Sequence, residues 1–470
     1  MIDKDAPLTA THAARHANSP WRDRTAGLRH RLDVVAIFVV GLACILGLED
    51  RFRGAAVDRI YFQQWNSERL MQTVAIEDLQ AAPLESLWYL HIQPPLLDGL
   101  RAAIAASFPE ERGPALVQKV DRTLYTLWGI AYALIGALVY RWLSLLSHQA
   151  VGVFGWLVLL LHPAMIFYAT LLDSTALSAL ASTWLLFEVW RLGTGTGRGG
   201  RLSAALILAF LTRSVFQWPA LVVVLTALLL ARVPWRHIAV VAAVAGTVVL
   251  AFTTKQMVLF DLPYTSSFAG LNLCRSIGTC DPLTEEEVRA ARKFLDHHPE
   301  GTAASVLSRT RKLVGDNLNA LSYLEEYKRQ LLAYRKTMTH KTVGQLFWEY
   351  TTNFRMFLQP SSRFTPHIIV DRLPWREEYD AVFSGRTLLL LLVASVAVWL
   401  AQHRRRPDIL RGAGLAMVCG YIAAVSILFE RGENQRFKFF VEPAVLVLVL
   451  SQAAAAGSAL WRYRCGRTPR

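Results

Sequence analysis

Apolar runs close to the ~20 residues that cross ~30 Å of hydrocarbon recur ten times along this chain, with its charges gathered between them. The runs are Leu32–Leu48, Thr123–Leu145, Val151–Tyr168, Thr170–Trp190, a segment from Leu202 broken at Arg213, Pro219–Ala231, Ile238–Phe260, Thr387–Ala401, Ala413–Leu428 and Val441–Leu460. A chain with 53% hydrophobic and 18% charged residues fits either a large soluble core or a polytopic membrane protein. Run length decides, because soluble core helices are shorter and charged along one face. The expected fold is an all-α polytopic membrane protein with about ten transmembrane helices, extracytoplasmic amphipathic helices and one larger, mostly helical outer domain.

A formal charge of +14 in a soluble protein would suggest nucleic acid. Here the arginines flank the apolar runs, as the positive-inside bias requires, and a nucleic-acid partner is not expected. The basic tail 1–31 and the 461–470 tail are placed in the cytoplasm of a plasma (bacterial inner) membrane protein. Polar residues with Arg15, Arg22, Arg24, Arg29 and Arg31 precede the first run, which is not the pattern of a cleaved signal. Residues 32–260 then form an N-terminal membrane module with an outer loop at 51–122, residues 261–384 an extracytoplasmic helical domain, and residues 385–460 a C-terminal membrane module. In the outer loop, Leu96–Phe108 is too short to cross and reads as an interfacial helix started by Pro94-Pro95. Thr284–His297 and Leu318–Tyr334 read as amphipathic helices. Of five cysteines only Cys274 and Cys280 could pair, with two free thiols the alternative, and no Cys/His metal spacing is present.

Ionisable groups at the edge of hydrocarbon must find water, a partner or a ligand. Glu49, Asp50, His91, Asp173, Arg213, Arg431, Glu433, Arg436 and Lys438 all fall on the extracytoplasmic side of this topology. Glu49, Asp50 and Asp173 could supply a general base, or could simply flank helix ends. Arg213, Arg436 and Lys438 suit a phosphate, and for the last two contact with lipid headgroups is the plainer alternative. His91 could be a catalytic or metal group, though a lone His at a polar helix start is more often a hydrogen-bonding cap. No Walker loop, HExxH or GxSxG is present, so nucleotide chemistry has no visible site.

Five elements in order carry a resemblance: Glu49-Asp50 closing the first run, His91-Ile92-Gln93-Pro94-Pro95, the run Pro163 to Thr170 leading to Asp173, Leu211-Thr212-Arg213, and Arg436-Phe437-Lys438-Phe439-Phe440-Val441-Glu442-Pro443. Together they resemble the GT-C superfamily of membrane glycosyltransferases, and within it the protein O-mannosyltransferase and aminoarabinose-transferase group. The resemblance spans about residues 30–190, 200–225 and 425–450.

It implies transfer of a sugar from a polyprenyl-phosphate donor to an extracytoplasmic acceptor (glycan, lipid or protein). Glu49 or Asp50 and Asp173 take the catalytic positions; Arg213 and Arg436 or Lys438 hold the phosphate, and His91 joins the substrate-binding set. The pair here is Glu-Asp where the family has Asp-Glu, so either acid can be the reactive one. No cofactor is implied, with room left for a divalent cation. The competing class is a polytopic transporter or lipid flippase, which favours internal repeats and mid-membrane charges; only Glu188 in the fourth run fits it.

Overall fold

The computed structural model describes residues 20–55, 65–293, 302–309, 311–363, 373–402 and 406–464. These residues are helical apart from turns, short connections and one isolated bridge between Arg311 and Asp316. Every predicted run is found as a helix, but the helices differ in how they meet the length of a bilayer. By length and composition five suffice to cross: Arg31–Leu48 inside the helix Pro20–Ala55, then Gly113–Leu146, Trp235–Phe260, Ile409–Phe429 and Glu442–Trp461. Two bent pairs raise the count to seven if each is one span. The expected ten is therefore not reached on those criteria, and the breaks have local causes.

The third predicted run splits into Gln149–Leu160 and Pro163–Ala169, bent by 57°. Pro163 has no N–H to continue the first helix, and His162 caps the second by accepting the Ala164 N–H at Nδ1, 3.0 Å away. The eighth run is the Gly385–Leu400 half of a pair with Arg376–Phe383, bent by 48°. A Cβ at Gly385 would lie 2.0 Å from the Leu358 carbonyl oxygen, so only glycine lets the chain pass there. The fifth and sixth runs, Gly199–Thr212 and Trp218–Leu230, are short because Arg213 turns into extended backbone and Pro219 opens the next helix.

The fourth run, Thr175–Gly193, lies at the centre of the bundle. It packs against Gly113–Leu146, Gly199–Thr212, Trp218–Leu230, Arg406–Phe429 and Glu442–Arg464. Its polarity is absorbed internally: Ser178 donates to the Ser174 carbonyl at 2.7 Å, Thr183 to Ala179 at 2.7 Å and Ser182 to Phe440 at 2.8 Å. Small hydroxyl residues of this kind let helix backbones approach closely in an apolar medium. On the outside, Leu250, Val258, Leu390 and Val393 are exposed, an apolar girdle suited to lipid.

Residues 65–112 and the described parts of 261–363 carry the shorter helices, which pack on one another and, through Val343–Phe357, on Arg406–Phe429. Leu96–Ala106 starts at Pro95, as the prolines predict, and Leu321–His340 matches the second amphipathic helix. The first is seen as Glu285–Lys293, its predicted remainder lying outside the described residues. Cys274 and Cys280 are disulfide-bonded. Lys312 clamps the two segments together by donating to the carbonyls of Leu70 at 2.5 Å and Thr73 at 3.1 Å.

Beneath that clamp, the fully buried Arg101 bridges Glu68 and Asp98 at 2.7 Å each and donates to the Val74 carbonyl. The carboxylates also accept backbone N–H groups, Ile76 on Glu68 and Val74 on Asp98. Arg101→Met is expected to leave two buried carboxylates without their cation, costing about 3–5 kcal/mol. A thermal unfolding midpoint in detergent that matches wild type would show the network to be dispensable.

Candidate functional site

Three breaks in the apolar helices meet at one end of the bundle: the turn 170–174, the extended residue Arg213, and the loop and short helix 430–441. Asp173 begins the central helix by accepting the Thr175 N–H at Oδ1, 2.8 Å away. Arg213, with φ −148° and ψ 143°, leaves the axis of its helix and reaches the same turn, donating to Ser174 Oγ at 2.8 Å. Arg436 comes from the six-residue helix Asn434–Phe439; its Nε donates to Thr175 Oγ1 at 2.6 Å and its Nη2 to the Asp173 carboxylate.

Glu433 joins the two arginines. Its Oε2 accepts from Arg213 Nη2 at 2.6 Å and from Arg436 Nη1 at 2.9 Å. Burial raises its pKa, but Arg436 and Arg213 outweigh that and hold the carboxyl below its ordinary value. Neighbouring Glu430 is pushed up to about 8, first by burial and then by the Glu433 carboxylate. Arg213, Arg436, Asp173 and Glu433 thus form a contact cluster of two guanidinium groups and two carboxylates.

Lys438 belongs to an adjoining pair. Its Nζ lies 3.3 Å from Glu442 Oε1 and donates to the Gln359 carbonyl at 2.6 Å. Glu442 also accepts from Ser361 Oγ at 2.7 Å and stands 3.4 Å from His162 Nε2. Lys438 further approaches the Phe383 carbonyl, at 3.5 Å. Phe383 lines an apolar groove of about 410 Å³ between Gln149–Leu160, the bent pair Arg376–Phe383 and Gly385–Leu400, and Glu442–Arg464, walled also by Val158, Tyr379, Leu388 and Leu446. An apolar trough thus ends on a residue that touches one of the site's cations.

Of the residues expected from sequence, Asp173, Arg213 and Arg436 are brought into direct or bridged contact, with Lys438 two residues further along the same loop. Asp50 is exposed near the end of its helix. Leu48 lines a narrow apolar cleft with Ala169 and Thr170, so Asp50 lies two residues and Asp173 three residues in sequence beyond lining residues of the same cleft. The Glu49 side chain lies outside the described residues.

His91 is not in this cluster. It is buried, its ring Nδ1 2.8 Å from Ser267 Oγ, and its backbone N–H donates to Asn319 at 2.8 Å, so it pins the 261–363 segment rather than facing the arginines.

Glu433, Glu430, Glu442, His162, Ser174 and Thr175 were not assigned roles from the sequence. Two of them carried a readable signal: Glu433 is three residues before Arg436 and Glu442 four after Lys438, both ion-pair spacings on a helix. Among the described residues no group of three or more His, Cys, Asp or Glu side chains is arranged to hold a metal ion.

No known family model matches the chain, and no curated protein matches it. Solved structures similar to it include the following three. One is the archaeal oligosaccharyltransferase AglB from Archaeoglobus fulgidus, in complex with an inhibitory peptide and a dolichol-phosphate, at 13% identity and a TM-score of 0.46 over 92% of this chain and 51% of that one. The chain therefore spans about half the length of that structure. The others are ArnT from Cupriavidus metallidurans in the apo state, at 11% identity and a TM-score of 0.31 over 94% of this chain and 79% of that one, and ArnT bound to undecaprenyl phosphate, at 12% and 0.30 over 90% and 79%.

Burial and the Lys255 ammonium hold the His91 pKa down to about 3, so the folded protein refuses a proton that the unfolded chain accepts near 6.5. Its contribution to stability is complete above that ordinary value and is lost as pH falls toward the folded one. The thermal midpoint of wild type is expected to drop more steeply between about pH 7 and about pH 5 than that of His91→Gln. Equal slopes would remove His91 from the acid response.

Proposed function

We propose that the protein is a GT-C-type membrane glycosyltransferase that moves a sugar from a polyprenyl-phosphate donor to an acceptor hydroxyl at the extracytoplasmic face of the bacterial inner membrane. The observation that carries this reading is the convergence of Arg213 and Arg436 on one anion position, Glu433 Oε2, beside Asp173 and near an apolar groove. Two guanidinium forks aimed at one oxygen are suited to a phosphate, and a groove of this composition suits the hydrocarbon tail that a polyprenyl donor carries. The opposite ends of the helices hold the basic segments, which is the basis for assigning the site to the outer side.

In this reading Asp50 takes the proton of the acceptor hydroxyl, and the acceptor oxygen attacks the anomeric carbon. The bond between that carbon and the phosphate oxygen breaks, and the electron pair leaves with the polyprenyl phosphate. Arg213 and Arg436 stabilise the negative charge that develops there, with Lys438 as a further cation. Asp173 fixes the direction of the Arg436 fork, and Glu49 stands beside the base.

Reconstituted full-length protein, supplied with a labelled polyprenyl-phosphate sugar, is expected to lose transfer by about a hundredfold or more in Asp50→Asn and in Arg436→Gln, while insertion and monodispersity are kept. Full transfer in both Asp50→Asn and Glu49→Gln would end the role given to that pair. Movement of labelled lipid across the bilayer without any covalent product would instead favour a flippase.

A further inference from the structure

The phosphate position proposed above is already filled by one of the protein's own carboxylates. Glu433 Oε2 receives a guanidinium N–H from Arg213, which lies 220 residues away in sequence, and another from Arg436 on its own loop. A phosphate oxygen bound at the same point would be held by the same two donors.

Glu433 is also the member of the cluster best placed to leave. Its side chain is 23% exposed, against 10% for Arg213, 6% for Arg436 and 8% for Asp173. Each arginine keeps a second anchor if Glu433 departs: Arg213 on Ser174 Oγ, and Arg436 on Asp173 and Thr175 Oγ1. The backbone around it is held: the Gly432 N–H donates to Asn434 Oδ1 at 3.1 Å, and Asn434 is fixed to the Ser426 and Glu430 carbonyls at 2.7 and 2.9 Å, so departure of the carboxylate is a rotation of the Glu433 side chain.

We infer that Glu433 is an internal stand-in for the donor's phosphate, which bridges Arg213 and Arg436 and swings out when the lipid phosphate enters. The inference rests on the donor reading above. The exchange is balanced in charge, since a sugar phosphodiester carries one negative charge and replaces one carboxylate. After transfer the product is a phosphate monoester of about −1.5 to −2 charge at neutral pH, which the two arginines grip harder. Return of Glu433 to the fork then competes with that product and speeds its departure.

Binding of farnesyl phosphate, a short polyprenyl phosphate monoester, to the full-length protein in detergent tests this directly. Glu433→Gln keeps the size and an accepting oxygen but removes the competing charge, and is expected to tighten Kd by about tenfold, corresponding to about 1.4 kcal/mol. In transfer assays the same variant is expected to complete a first turnover and then slow as product accumulates. If Glu433→Gln does not fold, Glu433→Asp, with its carboxylate drawn back from the fork, is expected to shift Kd in the same direction by a smaller factor.

Unchanged or weaker binding in the folded variant overturns the stand-in role while leaving the donor reading intact, provided Arg436→Gln still loses farnesyl phosphate. Absence of saturable binding in wild type, or binding by Arg436→Gln equal to wild type, means instead that the donor reading itself has failed.

Discussion

An ion pair between Asp173 and Arg436 ties the 430–441 loop to the turn that opens the central helix. The rest of this end of the bundle depends on it. Charged groups set among apolar helices are costly unless each finds a partner and its remaining lone pairs and N–H groups are satisfied. Asp173 meets that condition with the Thr175 N–H, and Arg436 with Thr175 Oγ1 and Glu433. The pair can form only because the Thr175–Gly193 helix begins where the 430–441 loop turns back into Glu442–Arg464. Ser182 reinforces that juxtaposition by donating to the Phe440 carbonyl.

The breaks in the helices supply the polar end of the site. An uninterrupted helix from 199 to 230 would carry Arg213 on its wall, facing either lipid or a neighbouring helix. Ending the helix at Thr212 lets Arg213 extend across to Ser174 and Glu433. The bend at His162-Pro163 acts similarly, bringing His162 within reach of Glu442 and setting the turn at 170–174 in place. Local chain chemistry, proline and extended backbone at an arginine, is thus converted into the convergence of groups remote in sequence.

That conversion explains what could be read in advance. Apolar run length located the long apolar helices among the described residues, because crossing hydrocarbon is a one-dimensional constraint, but not the breaks that divide some of the runs. It could not foresee that Thr175–Gly193 would be enclosed by other helices, since its serines and threonines bond to backbone that comes partly from elsewhere in the chain. Charge placement singled out Asp173, Arg213 and Arg436, which the fold brings together, because each interrupts or ends an apolar run. His91 carried the same signal for a different reason. It sits at the start of a polar segment and is buried by Ser267 and Asn319, which no local pattern links to it. Glu433 was visible as a charge but not as the meeting point of two arginines, because one of them comes from 220 residues away.

Two buried arginine networks in the same molecule show how a strut differs from a site. Arg101, Glu68 and Asp98 are each at most 1% exposed, and both carboxylates accept backbone N–H groups in addition to the guanidinium. Nothing in that network can move without leaving a bare charge in the interior, so its chemistry is spent on holding residues 66–101 in one arrangement. The Arg213–Arg436 network uses the same groups, but one of its carboxylates is partly open to solvent, and each arginine keeps a second partner. Solvation can then take over from the protein at Glu433 while Ser174, Asp173 and Thr175 continue to bond the two cations. In the proposed exchange, a position that water reaches between two anchored cations is what reversible capture of a phosphate requires.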